Sequence, residues 1–544
     1  MMLYLDIETT YDHKTIWCCV IKEGDDFSVF TTSDGLQEVI DKADYIVGHN
    51  IIGFDAPVLQ DVWGVYIPHE KLLDTLVLSR LTLPERKSHS LGEWGIDLGY
   101  EKIAYDDHDS PLSPEKLDYC KRDVEVLERL HNRLNYYVKD FSKNCVLLEH
   151  KVASIIRQQE ISGFKLDEDR TKNLLDTLEK DRQKIEEEML IRFPPIITER
   201  GFHKTTKKKL KDHVEVFNIN SRQQIHKRLT DLGAKFTKFT DKGNPIVDEE
   251  TLRKIDMPEA WKIAQHFMLN KRTTQIQSWL DAMGEDKRVH GRVIPCGTVT
   301  GRMAHLAPNL AQVPSLKSRY GKECRECWTV EEGNVLVGAD ASGLELRMLA
   351  HYLNDAEYTK ELLEGDIHAA NQAKAGLETR DQAKTFIYAL LYGAGSTKIG
   401  KIVGGTARDG TRLIENFMRE MPSLAKVRRR LQADIEKGFI IALDGRKIKL
   451  RSAHSALNTC LQSAGAIVMK QALVFLDEAL KEQYLPYRFV ANIHDEWQIE
   501  CPESVGDTIG QEAVKAIRKV EHHFSLNCPL DGEYKIGKNW AETH

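Results

Sequence analysis

The sequence predicts a multidomain protein that mixes α/β and α+β architecture, and three observations carry that expectation. The chain has 544 residues, too many for one hydrophobic core and enough for several. Residues 335–353, VLVGADASGLELRMLAHYL, begin with strand alternation at Val335 and Val337 and continue with Leu344, Met348 and Leu349 at helical spacing. A strand therefore runs into a helix around Asp340. From about Asn144 the pattern turns helical: 165–190 reads as one long charged helix with Leu174, Leu178, Ile185 and Met189 on its apolar side, and 259–280 as another.

Asp340 stands where the strand ends. A carboxylate there suits a cation, although an Asp at that point also caps helices. Residues 380–395, RDQAKTFIYALLYGAG, put Arg380, Lys384 and Tyr388 at i, i+4 and i+8, with Tyr392 continuing the row. Two fixed cations and aromatic rings on one helix face suit a triphosphate and its sugar; the alternative is a solvated basic face. Residues 487–501, YRFVANIHDEWQIEC, read as two strands around His494, Asp495 and Glu496, a hairpin with carboxylates at its tip. Asp is also ordinary turn chemistry.

The amino-terminal stretch carries a second set of carboxylates. Residues 3–8 alternate as a strand, which puts Asp6 and Glu8 on one face. Two neighbouring carboxylates repel unless a cation or proton sits between them; a solvent-facing edge strand is the alternative. A second strand at 45–47 precedes Asp55, which stands two residues before Pro57 and can equally cap the helix that Pro57 opens. A helix starting at Ser113-Pro114 buries Leu117, Val124, Leu127, Leu130 and Leu134 and puts Tyr119 and Asp123 on one face. Because MMLYLDIETT is already such a strand, no targeting peptide is expected.

DASGLELR, RDQAKTFIYALLYGAG and HDE, in that order, resemble the three polymerase motifs of family A DNA polymerases, and the likeness is greatest to the replicative polymerases of short-tailed (podovirus-type) phages. The resemblance spans nearly the whole chain. Asp6, Glu8, Asp55 and Asp123 with Tyr119 resemble the tyrosine version of the DEDD-type 3′–5′ exonuclease, and no carboxylate of that set is missing. The resemblance implies an RNase H-like exonuclease domain at 1–143, a thumb at 144–282, the first part of the palm at 283–352, fingers at 353–457 and the rest of the palm at 458–544. It implies two Mg²⁺ per active site, with Mn²⁺ as a substitute, held by Asp340, Asp495 and the Ala341 carbonyl in one site and by Asp6, Glu8, Asp55 and Asp123 in the other. Tyr119 would orient the attacking water. His368, Arg380, Lys384 and Tyr388 would hold the incoming dNTP. Glu345, on the helical turn after Asp340, would close the sugar pocket, with Tyr392 beside it. In the glycine- and proline-punctuated segment 298–314, Arg302 and Gln312 are expected at the primer-template minor groove, with Gln462 and His494, because minor-groove acceptors sit alike at every base pair.

The formal charge is −7, from 76 Lys+Arg and 83 Asp+Glu. Composition alone does not suggest a nucleic-acid partner, but only the binding groove of such an enzyme need be basic. The run KTTKKKLK at 204–211, with Lys207, Lys208 and Lys209, is either a solvated loop or a non-specific phosphate contact. Ten cysteines lack a paired zinc spacing, Cys324 and Cys327 coming closest, so reduced thiols in the cytoplasm of a bacterial host are expected. No run approaching membrane-spanning length is expected. Asp444-Gly445-Arg446 reads as a turn, and the carboxyl end through Trp540 as carrying no chemistry. A replicative helicase-primase is a candidate partner. Thioredoxin is not expected as one, because 192–218, where a thioredoxin-using phage relative carries a large thumb insertion, is short and poor in apolar residues. A single-subunit RNA polymerase is the rival reading, against which Glu345 and the exonuclease set speak.

Overall fold

The computed structural model describes every residue except Lys204, Lys207, Arg451, Ala453 and His454. It contains two compact units: Met1–Phe164, His290–Gln312 and Val330–His544 form the first, and Lys165–Val289 with Val313–Thr329 the second.

The first unit opens with a five-stranded sheet of β1 (Met2–Thr9), β2 (Ile16–Glu23), β3 (Asp26–Phe30), β4 (Tyr45–Gly48) and β5 (Leu72–Asp74), in the order β3-β2-β1-β4-β5. β1 pairs antiparallel with β2 and parallel with β4. Alternation along β1 divides its side chains between two cores. Leu3, Leu5 and Ile7 pack with Leu36, Ile40 and Leu59 on one face. Tyr4 packs with Val124, Leu127 and Leu130 of the helix Pro114–Val138 on the other, the face that Asp6 and Glu8 share. Ser113 caps that helix by accepting from the Lys116 N–H, with Pro114 at the first helical position, as its sequence predicts.

A second sheet has the spatial order Arg488–Ile493, Glu496–Pro502, Asn334–Ala341, Gly532–Gly537, antiparallel throughout. Helix Gly506–Phe524 packs on the last two strands and helix Lys143–Ser162 on the first. Between them runs helix Ala456–Glu482. By length and composition this helix is apolar enough to cross a membrane, which corrects the expectation that no stretch comes near that. In this fold 72% of its apolar window is buried, and Ile467, Ala472 and Leu476 lie in the largest core of the unit. All ten cysteines are free and buried.

In the second unit, helices Glu168–Arg192 and Pro258–Asp281 pack on each other, close to the bounds their periodicity predicts. Helix Lys143–Ser162, at the start of the stretch expected as thumb, belongs to the first unit, where Val152, Ile155 and Ile156 bury in the core that holds Val337 and Ile467. After Arg192 the chain makes a small hairpin of Ile196–Thr198 and His213–Glu215. This hairpin region exposes Ile197, Phe202, Leu210, Val214 and Val216, more apolar surface than the sequence reading allots to it.

Asp444-Gly445-Arg446 forms the expected turn, with Gly445 at φ 84°, but it is no solvated loop. Arg446 is 1% exposed and pairs with Asp444 at 2.6 Å and with Glu149 at 2.6 Å. Lys470 reaches the same Glu149 carboxylate at 2.6 and 2.8 Å. Two anions and two cations thus balance in the interior. Burial alone would raise the Glu149 carboxyl, but Lys470 and Arg446 hold it below its usual value. Removing one member leaves an uncompensated buried charge, which costs about 3–5 kcal/mol. Glu149→Gln should therefore bring the unfolding transition of this unit in urea to clearly lower concentration. Glu478→Gln, which breaks the exposed pair with Lys151 at 2.7 Å, should move it by less than about 1 kcal/mol.

Candidate active sites

The strand Asn334–Ala341 carries Asp340 at its penultimate position, and the helix that follows, Leu344–Leu353, is capped by Gly343 in a left-handed conformation. The helix-cap role for Asp340 is therefore set aside. Asp340 stands in register with Glu496, and the Ala341 N–H donates to the Asp495 carbonyl at 3.0 Å. His494 and Asp495 make the two-residue turn of the hairpin, with His494 at φ 59°. Three carboxylates converge as a result. Burial, then Asp495 and Glu496, push the Asp340 carboxyl up to about 7; burial raises Asp495 as well. The carboxyl end takes part, contrary to the sequence expectation. The Trp540 indole donates to Glu496 at 2.6 Å, and His544 Nδ1 lies 3.0 Å from its other oxygen.

Glu345 lies in the first turn of the helix Leu344–Leu353, where it accepts from the Tyr392 hydroxyl and has Arg302 at 3.7 Å. Tyr392 is the C-cap of the helix Arg380–Leu391, its N–H still donating to the Tyr388 carbonyl at 2.9 Å, so it continues the row of Arg380, Lys384 and Tyr388 and ends it at Glu345. The Tyr388 phenol is raised by burial, then by Glu345 and Asp495, which puts it at the same cluster. His368, in helix Ile367–Ala375, has its ring 6.3 Å from that of Tyr388, and its Nδ1 has no partner among the described residues. Arg380 pairs with Asp366 at 2.7 Å, and Lys384 is exposed. Arg302 and His494 line one small cavity with Ala466 and Lys470. Gln462 is half-buried one turn before Ala466 on helix Ala456–Glu482, and Gln312 is exposed at the end of a short turn, Leu310–Gln312, that packs near strand Arg488–Ile493. Lys208 and Lys209 are exposed in the second unit; Lys207 lies outside the described residues.

The second cluster stands on β1. Asp55 is the first residue of helix Asp55–Trp63 rather than its cap, and its carboxylate accepts from the Ile7 N–H at 3.2 Å. That bond ties Asp55 to the strand of Asp6 and Glu8. From the helix Pro114–Val138 come Tyr119, Cys120 and Asp123, the Cys120 thiol lying 3.5 Å from Asp6. Burial, then Asp55 and Asp123, hold Asp6 well above the usual carboxylate range, and burial pushes Asp55 up to about 7. Sequence reasoning missed three residues here, Cys120 among them. Lys102 pairs with Asp123 and donates to the Tyr119 hydroxyl at 2.9 Å, and His108 Nδ1 lies 3.2 Å from Glu8. Both sit in the loop YEKIAYDDHD, where nothing in the charge pattern sets them apart.

The family resemblance implies divalent cations at both clusters, and at the β1 cluster the donors fit. Asp6, Glu8 and Cys120 offer atoms all within 4.8 Å of one another, and Asp123 Oδ1 is buried without a partner among the described residues. Hard oxygen donors crowded at high mutual repulsion suit Mg²⁺ or Mn²⁺.

Comparison with known proteins identifies the family. The model for DNA polymerase family A matches residues 198–542, more than half of the chain. The DNA-directed DNA polymerases of Enterobacteria phage T3 and Escherichia phage T7 are each 33% identical to the chain over 94% of both lengths. Among solved structures, the polymerase domain of Pol1 from M. smegmatis, in complex with DNA primer-template and dNTP, superposes with a TM-score of 0.82 at 18% identity, over 99% of this chain and 95% of that one. The right-hand polymerase fold is thereby shown, and the chain belongs to DNA polymerase family A as a DNA-directed DNA polymerase.

Proposed function

We propose that this polymerase extends primers at the Asp340–Asp495 cluster and removes 3′-terminal nucleotides at the Asp6–Glu8–Asp55–Asp123 cluster. The observation that carries the reading is the pair of separate clusters in which carboxylates crowd each other on the ends of strands. Primer-template DNA and dNTPs are the substrates, as the M. smegmatis relative's bound molecules suggest. Two divalent ions at each cluster would supply Lewis acidity and acidify the attacking hydroxyl or water. Asp340, Asp495 and the Ala341 carbonyl would hold them in the polymerase. Arg380, Lys384 and His368 would bind the triphosphate and neutralise charge on the departing pyrophosphate. Tyr388 would stack by the sugar, and Glu345, fixed by Tyr392, would exclude a 2′-hydroxyl. Arg302, Gln312, Gln462 and His494 would contact the minor groove. At the other cluster Tyr119 would orient the water. Thumb, palm and fingers are proposed with the bounds the sequence reading gives them.

Processivity without thioredoxin is part of the proposal, since 192–218 is short and bears only a small hairpin; its exposed apolar residues make the point worth testing directly. Lys208 and Lys209 would add sequence-independent grip. A helicase-primase in the cytoplasm of a bacterial host would be the working partner.

One labelled primer-template, with and without dNTPs, tests the division of labour. Asp340→Asn or Asp495→Asn should abolish extension and spare degradation, and Asp6→Ala with Glu8→Ala should do the reverse; loss of both activities in a folded variant would sink the two-site reading. Glu345→Ala should raise ribonucleotide use relative to deoxynucleotides by ~10²-fold, read from single-nucleotide incorporation rates. Products from single encounters on a long template should keep their length when reduced thioredoxin is added.

Proton linkage gives a further outcome. Asp340 and Asp55 bind their protons more tightly in the ion-free fold, up to about 7, than at the ordinary carboxylate value of 3.8. The folded state then binds more protons than the unfolded one, so stability falls as pH rises between those values. In chelator, Tm should decrease from pH 5 to pH 8. Mg²⁺, which takes the place of those protons, should raise Tm more at pH 8 than at pH 6, and Asp340→Asn should shrink both effects.

A further inference from the structure

Lys102 belongs to the β1 cluster, yet neither the family resemblance nor the sequence reading singles it out. It lies between the helices Leu91–Asp97 and Pro114–Val138, and its side chain is 27% exposed. The ammonium does three things at once. It pairs with the Asp123 carboxylate, which is 4% exposed. It donates to the Tyr119 hydroxyl at 2.9 Å and stands 4.9 Å from the Tyr119 ring centre. It also acts electrostatically on Asp6 and Glu8. The loop that carries it is tied to the helix by Lys116, which donates to the His108 carbonyl at 3.0 Å.

The geometry points to Lys102 as a positioning residue of the exonuclease site, its ammonium occupying one side of Asp123 as a resident cation while it fixes the Tyr119 hydroxyl toward the reacting water. The inference rests on the exonuclease reading given above. Two physical consequences follow with opposite signs. A fixed positive charge on Asp123 disfavours a divalent cation at the same carboxylate, so Lys102 weakens metal binding. The hydrogen bond to Tyr119 holds the phenol in one orientation in a site where misplacement is costly, so Lys102 aids turnover. The free Asp123 Oδ1 is the oxygen left for a metal while Lys102 keeps the other side. A residue that merely stabilised the loop would instead lower metal affinity and rate together when removed.

The test uses the full chain carrying Asp340→Asn and Asp495→Asn, so that bound Mn²⁺ and degradation both report on the exonuclease cluster. Mn²⁺ binding is read by electron paramagnetic resonance and degradation by single turnovers on a labelled single strand at saturating Mn²⁺. Lys102→Met, which keeps the aliphatic stem, should bind Mn²⁺ several-fold more tightly and degrade the strand at least tenfold more slowly. Lys102→Arg, which keeps the charge and a donor, should retain parental Mn²⁺ affinity and recover most of the rate. An unchanged rate, or weaker Mn²⁺ binding in folded Lys102→Met, would overturn the role of Lys102 while the parent still degrades DNA. A parent that binds Mn²⁺ and degrades nothing would overturn the exonuclease reading, and the role of Lys102 with it.

Discussion

Carboxylates of like sign held together at strand ends are the constraint on which the rest of this structure turns. At ~4 Å two charges repel by about 4 kcal/mol at the effective dielectric of a protein surface, and a flexible loop would relax that strain by moving apart. Strands cannot. Asp6 and Glu8 are two residues apart on β1, where they stand in register with Val20 and Cys18 of β2, while β4 pairs with the start of the strand at residues 2–4. Asp340 stands opposite Glu496 on a strand paired on both sides by Glu496–Pro502 and Gly532–Gly537. The backbone ladders hold the carboxylates together, and their raised carboxyl values come first from burial and then from that mutual repulsion. Such a site suits the cations proposed for it.

Rigidity at these ends comes from layers beneath them. β1 sends Leu3, Leu5 and Ile7 into one core and Tyr4 into another, so a one-residue slip would exchange apolar and acidic faces. In the other sheet, Gly338 lets the Thr543 carbonyl and the Gln498 side chain approach to within 2.3–2.7 Å of where a Cβ would stand. The buried quartet of Glu149, Asp444, Arg446 and Lys470 joins helix Lys143–Ser162 to helix Ala456–Glu482 and to the turn before it. Apolar replacement of such a set is often as stable; what the ions add is a single register for three segments distant in sequence.

Much of this was legible in the sequence where local pattern and chemistry coincide. The strand bearing Asp6 and Glu8, the capped helix with Tyr119 and Asp123, and the hairpin tip at His494-Asp495 follow from periods of two and 3.6 and from turn residues. The two helix-cap alternatives, for Asp340 and Asp55, failed for one reason: each side chain finds its role across the fold rather than along the chain. What stayed hidden is equally consistent. Lys102, His108, Trp540 and His544 act through contacts 17 to 100 residues away, 44 and 48 in the case of the last two with Glu496. Helix Ala456–Glu482 was underestimated because buried Lys470 and Asp477 break up its hydropathy without making it a surface helix.

Charge is handled in opposite ways at the two kinds of site. On the helix face proposed for the nucleotide, the fixed cation Arg380 already has an anion, Asp366, which also caps the helix carrying His368 through the N–H groups of His368 and Ala369. A triphosphate bound there would exchange one exposed ion pair for another, a trade of small net energy before contact geometry is counted. At the carboxylate clusters the anions outnumber their partners, so an entering cation relieves repulsion that the backbone cannot. On that proposal, selectivity at the first would come from shape and hydrogen bonding around Tyr388 and Glu345, whereas affinity for a cation at the second would be set largely by how much counter-charge the protein has already supplied. Lys102 beside Asp123 supplies some.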